Sequence, residues 1–176
     1  MNGPGWIRTS DLGIKSPLLY QLSYRPPKGE GTLPPVVRIE LTIDMARPAE
    51  DVFECLVDLE RLPEWQSSVL DVHADEPLAE GVRISERRRV MGREVQNELE
   101  VTGFDPPRQL TLKALKGPVR FTVVHRLAEA DGGTRLHVAA EGKAGGFMKL
   151  GEPMLARSAE SELRKDFERL KQLLEC

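Results

Sequence analysis

Arg47 to Trp65 reads R-P-A-E-D-V-F-E-C-L-V-D-L-E-R-L-P-E-W. Pro48 presets the backbone angle of a first helical turn, and Glu50 and Asp51 place acids at the positive end of a helix dipole, so a helix is predicted to start here. Val52, Phe53, Leu56 and Leu59 then form an apolar stripe at helical spacing, with Cys55 in the same pattern. A second short helix is predicted over Leu59 to Trp65, distorted by Pro63.

On either side of this helical pair the period changes to two. Val37, Ile39, Leu41 and Ile43 alternate with Arg38, Glu40, Thr42 and Asp44, the pattern of a strand with one buried face. Downstream, alternating segments follow one another between turn signals. Leu70 to Ala74 leads into Glu76-Pro77, Val82 to Met91 stops at Gly92, and Val95 to Phe104 stops at Asp105-Pro106-Pro107. Leu110 to Leu115 stops at Gly117-Pro118, Val119 to Ala128 at Asp131-Gly132-Gly133, and Thr134 to Glu141 at Gly142. Short turns between such segments predict an antiparallel meander of about six strands. The last segment is helical again: Leu163, Phe167, Leu170 and Leu174 form a stripe, and Glu160 with Arg164 and Glu168 with Lys171 are spaced to pair on the exposed face. Pro153 predicts a kink or a late start.

Strand, two short helices, six strands and one long helix is the order of the helix-grip fold. Arg47 to Trp65 resembles the signature of the START and polyketide cyclase/dehydrase superfamily: a proline-led helix, an apolar stripe containing an aromatic, then Asp, Leu, Pro and Trp in order. Two further segments resemble it, F-D-P-P-R-Q-L at Phe104 to Leu110 and G-G-F at Gly145 to Phe147, at the opening of the last helix. The resemblance covers 36–176 and implies an α+β domain, a curved antiparallel sheet of about seven strands wrapped around the C-terminal helix. It further implies a cavity between sheet and helix for a hydrophobic or amphipathic small molecule (lipid, polyketide or isoprenoid-like). Only some members of the superfamily perform chemistry, so fold alone does not assign an activity.

The residues before this domain read differently. Leu19 to Ser23 can be written CTC TAC CAA CTG AGC and Trp6 to Thr9 TGG ATT CGA ACC, the reverse complements of the D-arm and T-arm consensus of a transfer-RNA gene, in antisense order. Residues 1–35 are therefore expected to be a non-native or disordered leader, with the natural start near Val36 or Val37. The alternative is a genuine flexible tail. A secretory signal does not fit, because Arg8, Asp11, Lys15 and Gln21 interrupt any apolar run.

Of the 176 residues 40% are hydrophobic and 30% charged, an ordinary globular composition, and no stretch has the roughly 18 uninterrupted apolar residues of a membrane span. A net charge of −3 gives no general attraction to nucleic acid or anionic membranes. Arg87, Arg88 and Arg89 are consecutive in a strand, so they point to alternating faces rather than forming one patch. Two cysteines, Cys55 and Cys176, make neither a disulfide framework nor a metal site, and a cytoplasmic location is expected.

G-x-S-x-G, H-E-x-x-H, paired C-x-x-C, Walker and G-x-G-x-x-G motifs do not occur in the sequence, and no cofactor or metal is expected. What remains is a set of polar residues in an inward phase. Val119, Phe121, Val123, His125 and Leu127 share one face; His125 there is either an acid–base group or a buried histidine satisfied by one hydrogen bond. Val82, Ile84, Glu86, Arg88 and Val90 share another, so Glu86 and Arg88 must be salt-bridged, wetted in a cavity or shifted outward by a bulge. Asn97 repeats the pattern among Val95, Leu99 and Val101. Polar groups at such positions describe either a ligand cavity or the wet ends of a curved sheet. Trp65, Phe147, Met148 and Met154 complete the candidate binding set; Trp65 stands near the cavity mouth by resemblance or simply caps the core, and methionines at helical spacing also serve as filler. Three readings stay open: a binding protein without chemistry, an aldol cyclase or dehydratase using His125 or Glu86 as base and Arg88 or Asn97 as oxyanion donor, and an interaction module for a protein partner.

Overall fold

A computed structural model of the chain describes residues 36–90, 92–144 and 152–176. The leader at 1–35, the predicted helix opening at Gly145 to Phe147, and Met148 lie outside them. The elements are β1 (Val36–Met45), α1 (Ala49–Val57), α2 (Leu62–Trp65), β2 (Val69–Ala74), β3 (Arg83–Val90), β4 (Arg93–Asp105), β5 (Gln109–Lys116), β6 (Val119–Ala130), β7 (Gly133–Ala144) and α3 (Glu152–Glu175). All seven strands join one antiparallel sheet in the order β1-β7-β6-β5-β4-β3-β2, so β2 to β7 form the meander and β1 closes onto its last strand. Register shifts in β2 at Val69/Asp71 and in β4 at Glu98/Leu99 and Val101/Gly103 add the local bend and twist that curve such a sheet.

One face of each strand points into this curve. Leu41, Ile43 and Met45 of β1 and Leu136 and Val138 of β7 are buried there with Val52, Phe53 and Leu56 of α1 and Phe167 and Leu170 of α3. The helix stripe is thus the complement of the sheet's period-two face. The C-terminal end of α3 is fastened to the β1–α1 link: Lys171 Nζ donates to the Asp44 carbonyl at 2.8 Å, the Ala46 N–H donates to Glu175 Oε1 at 2.7 Å, and Arg47 Nε donates to the Leu174 carbonyl. These bonds satisfy groups near a helix end and fix how α3 lies along β1. Among the described residues no helix is long and apolar enough to cross a membrane.

Three local expectations are corrected. The second helix begins at Leu62 rather than Leu59, because Asp58 Oδ1 accepts the Glu60 and Arg61 N–H groups and holds that stretch as a turn. Pro63 then falls in the first turn, where a missing N–H costs nothing. β7 does not stop at Gly142, which has ladder partners on both sides, Val37 of β1 and Phe121 of β6. Glu160 pairs with Arg164 at 3.4 Å, but Lys171 reaches the Asp44 carbonyl in place of Glu168.

Candidate functional site

β3 carries Ile84, Glu86 and Arg88 on its inner face, while Arg87 and Arg89 point outward toward Asp71 (3.9 Å) and Glu94 (3.6 Å). The Glu86 side chain is 1% exposed and that of Arg88 23%. A buried carboxylate is tolerable only when paired. Glu86 Oε1 accepts from Arg88 Nε at 2.8 Å and from Asn97 Nδ2 at 2.9 Å, Asn97 being its register partner on β4. Of the three arrangements open to this pair, the salt bridge is the one present. Behind Asn97, Gly117 (φ +139°) leaves room that a Cβ would take from Asn97 Oδ1.

Arg88 also reaches the segment after α2. Its Nη2 donates to Gln66 Oε1 at 2.6 Å and its Nη1 to Ser68 Oγ at 3.2 Å. Between them, the Ser67 N–H and hydroxyl donate to Asp166 Oδ1 of α3 at 3.4 and 3.5 Å. Asp166 is buried, and that burial raises its carboxyl above the usual range against the pull of the Ser67 N–H, Arg169 and Arg88. Gln66, Ser67 and Ser68 thus link the β3 ion pair to the long helix. Sequence reasoning missed these three and Asp166. Asp166 was traceable, since it lies three residues after Leu163 and next to Phe167, inside the apolar stripe.

His125 is buried on β6 opposite Leu110, and its Nδ1–H donates to the Leu110 carbonyl at 3.3 Å. A carbonyl can only accept, so Nε2 carries the lone pair. Burial pushes the imidazole down to about 4, partly offset by that hydrogen bond, and the ring is neutral at pH 7. Phe167 stands between two site aromatics, its ring 5.8 Å from His125 and 5.4 Å from Trp65. Trp65 is 1% exposed, and its Nε1–H is buried without an acceptor among the described residues.

Trp65, Glu86, Arg88 and His125 line one partly open cavity of about 40 Å³, whose other walls include Leu62, Leu99 and Leu110. Asn97 does not line it and acts through Glu86. Met154 lies on α3, with its side chain outside the described residues. The volume is room for about one water, far below the roughly 300–1,000 Å³ of ligand pockets, so any larger guest must push the lining side chains apart. A larger groove of about 570 Å³, bounded by Arg47, Asp51, Glu54, Asp58 and Leu174, is open to solvent and carries none of the candidate residues. We place the site at the small cavity, because that is where polar side chains converge within apolar walls. Among the described residues no group of three or more His, Cys, Asp or Glu is placed to hold a metal ion.

Sheet, grip helix and inner cavity define a helix-grip protein of the START-like class. Residues 36–175 match the model of the family described as polyketide cyclase / dehydrase and lipid transport, and the chain belongs to that family. Among solved structures, a START superfamily protein from Mycobacterium smegmatis is similar at TM-score 0.69 and 15% identity, over 78% of this chain and 97% of that one. A conserved protein from Geobacillus kaustophilus is similar at 0.67 and 19%, over 78% and 95%. The di-domain ARO/CYC StfQ of the steffimycin biosynthetic pathway is similar at 0.67 and 16%, over 80% of this chain and 51% of that one. At these identities the likeness is one of fold. No curated protein matches the sequence.

Proposed function

We propose that this protein binds a hydrophobic or amphipathic small molecule on the inner face of the sheet, between it and α3, without chemistry of its own. The observation that carries this reading is the convergence of Glu86, Arg88, His125 and Trp65 on one apolar-walled cavity. Core positions filled for stability alone are aliphatic, and placed polar groups within apolar walls suit ligand orientation. Family membership supports the same reading.

The cyclase or dehydratase reading rests on the family description and on the StfQ likeness, and the site's chemistry favours it less. A base for α-proton removal works best near the operating pH, and His125, at about 4, is a weak one. Glu86 already accepts two hydrogen bonds, and each guanidinium nitrogen of Arg88 already donates one. The test is organic extraction of the purified protein followed by mass spectrometry, with titration of an environment-sensitive apolar dye alongside. An apolar molecule recovered in stoichiometric amount, or saturable dye binding that it displaces, is the expected result. Failure of both would remove the reading.

A further inference from the structure

We propose that residues 59–68, the one-turn helix α2 and the strap that joins it to β2, are a lid through which the ligand enters and leaves the inner cavity, latched to β3 by Arg88 and to α3 by Asp166. This rests on reading the cavity as a ligand site and says how that site opens. A cavity of about 40 Å³ has room for little beyond one water unless a wall moves. Most of its lining stands on β2 to β6, where ladder bonds tie each strand to its neighbours. Four lining residues, Leu59, Leu62, Trp65 and Gln66, belong to the one short segment between α1 and β2, so a shift of that segment removes a whole wall at once.

The backbone of this segment holds itself together and little else. The Leu62 N–H donates to the Leu59 carbonyl at 3.4 Å, Glu64 to Arg61 at 2.9 Å, Gln66 to Leu62 at 2.9 Å and Val69 to Gln66 at 3.1 Å, each a local turn. Among the described residues no backbone–backbone hydrogen bond from Leu59 to Ser67 reaches a part of the chain distant in sequence. The first that does is the Arg89 N–H to the Ser68 carbonyl, 2.7 Å, where the strap joins the sheet. A unit with local bonds of its own and few long-range ones can swing as a body without breaking the ladder beneath it.

Side chains fasten it at two points. Arg88 donates Nη2 to Gln66 Oε1 at 2.6 Å and Nη1 to Ser68 Oγ at 3.2 Å, and Asp166 Oδ1 accepts the Ser67 N–H and hydroxyl at 3.4 and 3.5 Å. Release strands no charge: Arg88 keeps Glu86 through Nε at 2.8 Å, Asp166 keeps Arg169 at 3.0 Å, and the freed hydroxyls and amide turn to water. The apolar contact given up is Trp65 on Phe167, ring centroids 5.4 Å apart. Because Arg88 also lines the cavity, one side chain both meets the occupant and holds the lid, which couples closure to occupancy.

The test is stopped-flow binding of Nile red to the full chain. Ser67→Ala/Ser68→Ala deletes the two latch hydroxyls and touches no lining residue. Association and dissociation should both speed up, by roughly three- to tenfold each, the worth of one hydrogen bond, with Kd within about twofold of wild type. A second pair shuts the lid: Ser67→Cys/Asp166→Cys, with Cys176→Ser, puts thiols where the side-chain oxygens lie 3.5 Å apart. Oxidised, it should bind the dye roughly tenfold or more slowly than wild type, and dithiothreitol should restore the rate. Should the bridge not form, the alanine pair decides alone. An alanine pair with wild-type rates, or one in which dissociation alone rises, overturns the lid and leaves the binding reading standing, as does an oxidised cysteine pair that binds as fast as its reduced form. Nile red binding to none of these proteins, with no lipid recovered, overturns both.

Discussion

The inner face of the sheet has two halves written with the same alternation and filled differently. At the β1/β7 end the inward positions are Leu41, Ile43, Leu136 and Val138, all 5% exposed or less, closed by Val52 and Leu170. Toward β3 and β4 the inward positions mix Ile84, Leu99 and Val101 with Glu86, Arg88 and Asn97, and His125 of β6 and Asp166 of α3 are buried polar groups too. The first half is what maximising apolar burial produces, at roughly 25 cal/mol per Å² removed from water. The second gives up that gain and needs a connected set of hydrogen bonds to be tolerated at all. A fold that only had to be stable would not need the second half, and the proposed ligand site is the reading that accounts for it.

Phe167 belongs to both halves, buried with Leu170 in the helix stripe and touching Trp65 and His125. Phe167→Ala should have the largest effect, a loss of about 3–5 kcal/mol. Thermal melting should fall by roughly 10 °C or more, against about 1 °C for the exposed Lys165→Ala. Similar melting of the two variants would mean that α3 does not bury this face.

Arg88→Met should come next, costing about 2–4 kcal/mol by leaving the Glu86 carboxylate buried with Asn97 alone; the partial exposure of Arg88 keeps it at the lower end of buried-pair values. Denaturant titration checks it, and an unchanged midpoint would mean the pair is wetted rather than buried.

The fold was legible because period-two and period-3.6 stripes survive without knowledge of what they face. The same phase pointed Glu86, Arg88, Asn97 and His125 inward. The satisfaction of those groups was not legible. Gln66 and Ser68 are polar loop residues whose meaning appears only when β2 pairs with β3, and Ser67 needs α3 alongside. Nor could sequence show the cavity's size, which depends on how Leu62, Leu99 and Leu110 pack. The break expected at Gly142 failed for a related reason: a glycine with strands on both sides has its backbone groups met whatever its turn propensity.

The smallest of these effects is a pH dependence of about 2 kcal/mol. His125 sits near 4 when folded against about 6.5 when unfolded, so the unfolded chain binds more protons between those values. Its contribution is therefore fully present well above pH 6.5 and is lost as the pH falls toward 4, about half of it between pH 7 and 5. Asp166, whose pKa is raised, acts in the opposite sense, and the lowered carboxyls of Asp44, Glu98 and Asp105 lose their contribution only in the acid range below it. Chemical denaturation at pH 7 and pH 5 should show the loss in wild type and little of it in His125→Leu. A wild-type midpoint that does not move would mean that His125 is open to water.

The most direct measurement puts stability and dye binding side by side for one change in each half. Glu86→Leu/Arg88→Met removes both charges together and leaves neither stranded, so it should melt near or above wild type, while dye affinity falls because the placed polar groups are gone. Leu136→Ala should lose about 2–5 kcal/mol of stability and bind dye as wild type does wherever it is folded. The opposite pairing, a double variant that loses stability yet binds as wild type, would contradict the assignment of the β3/β4 half to a ligand.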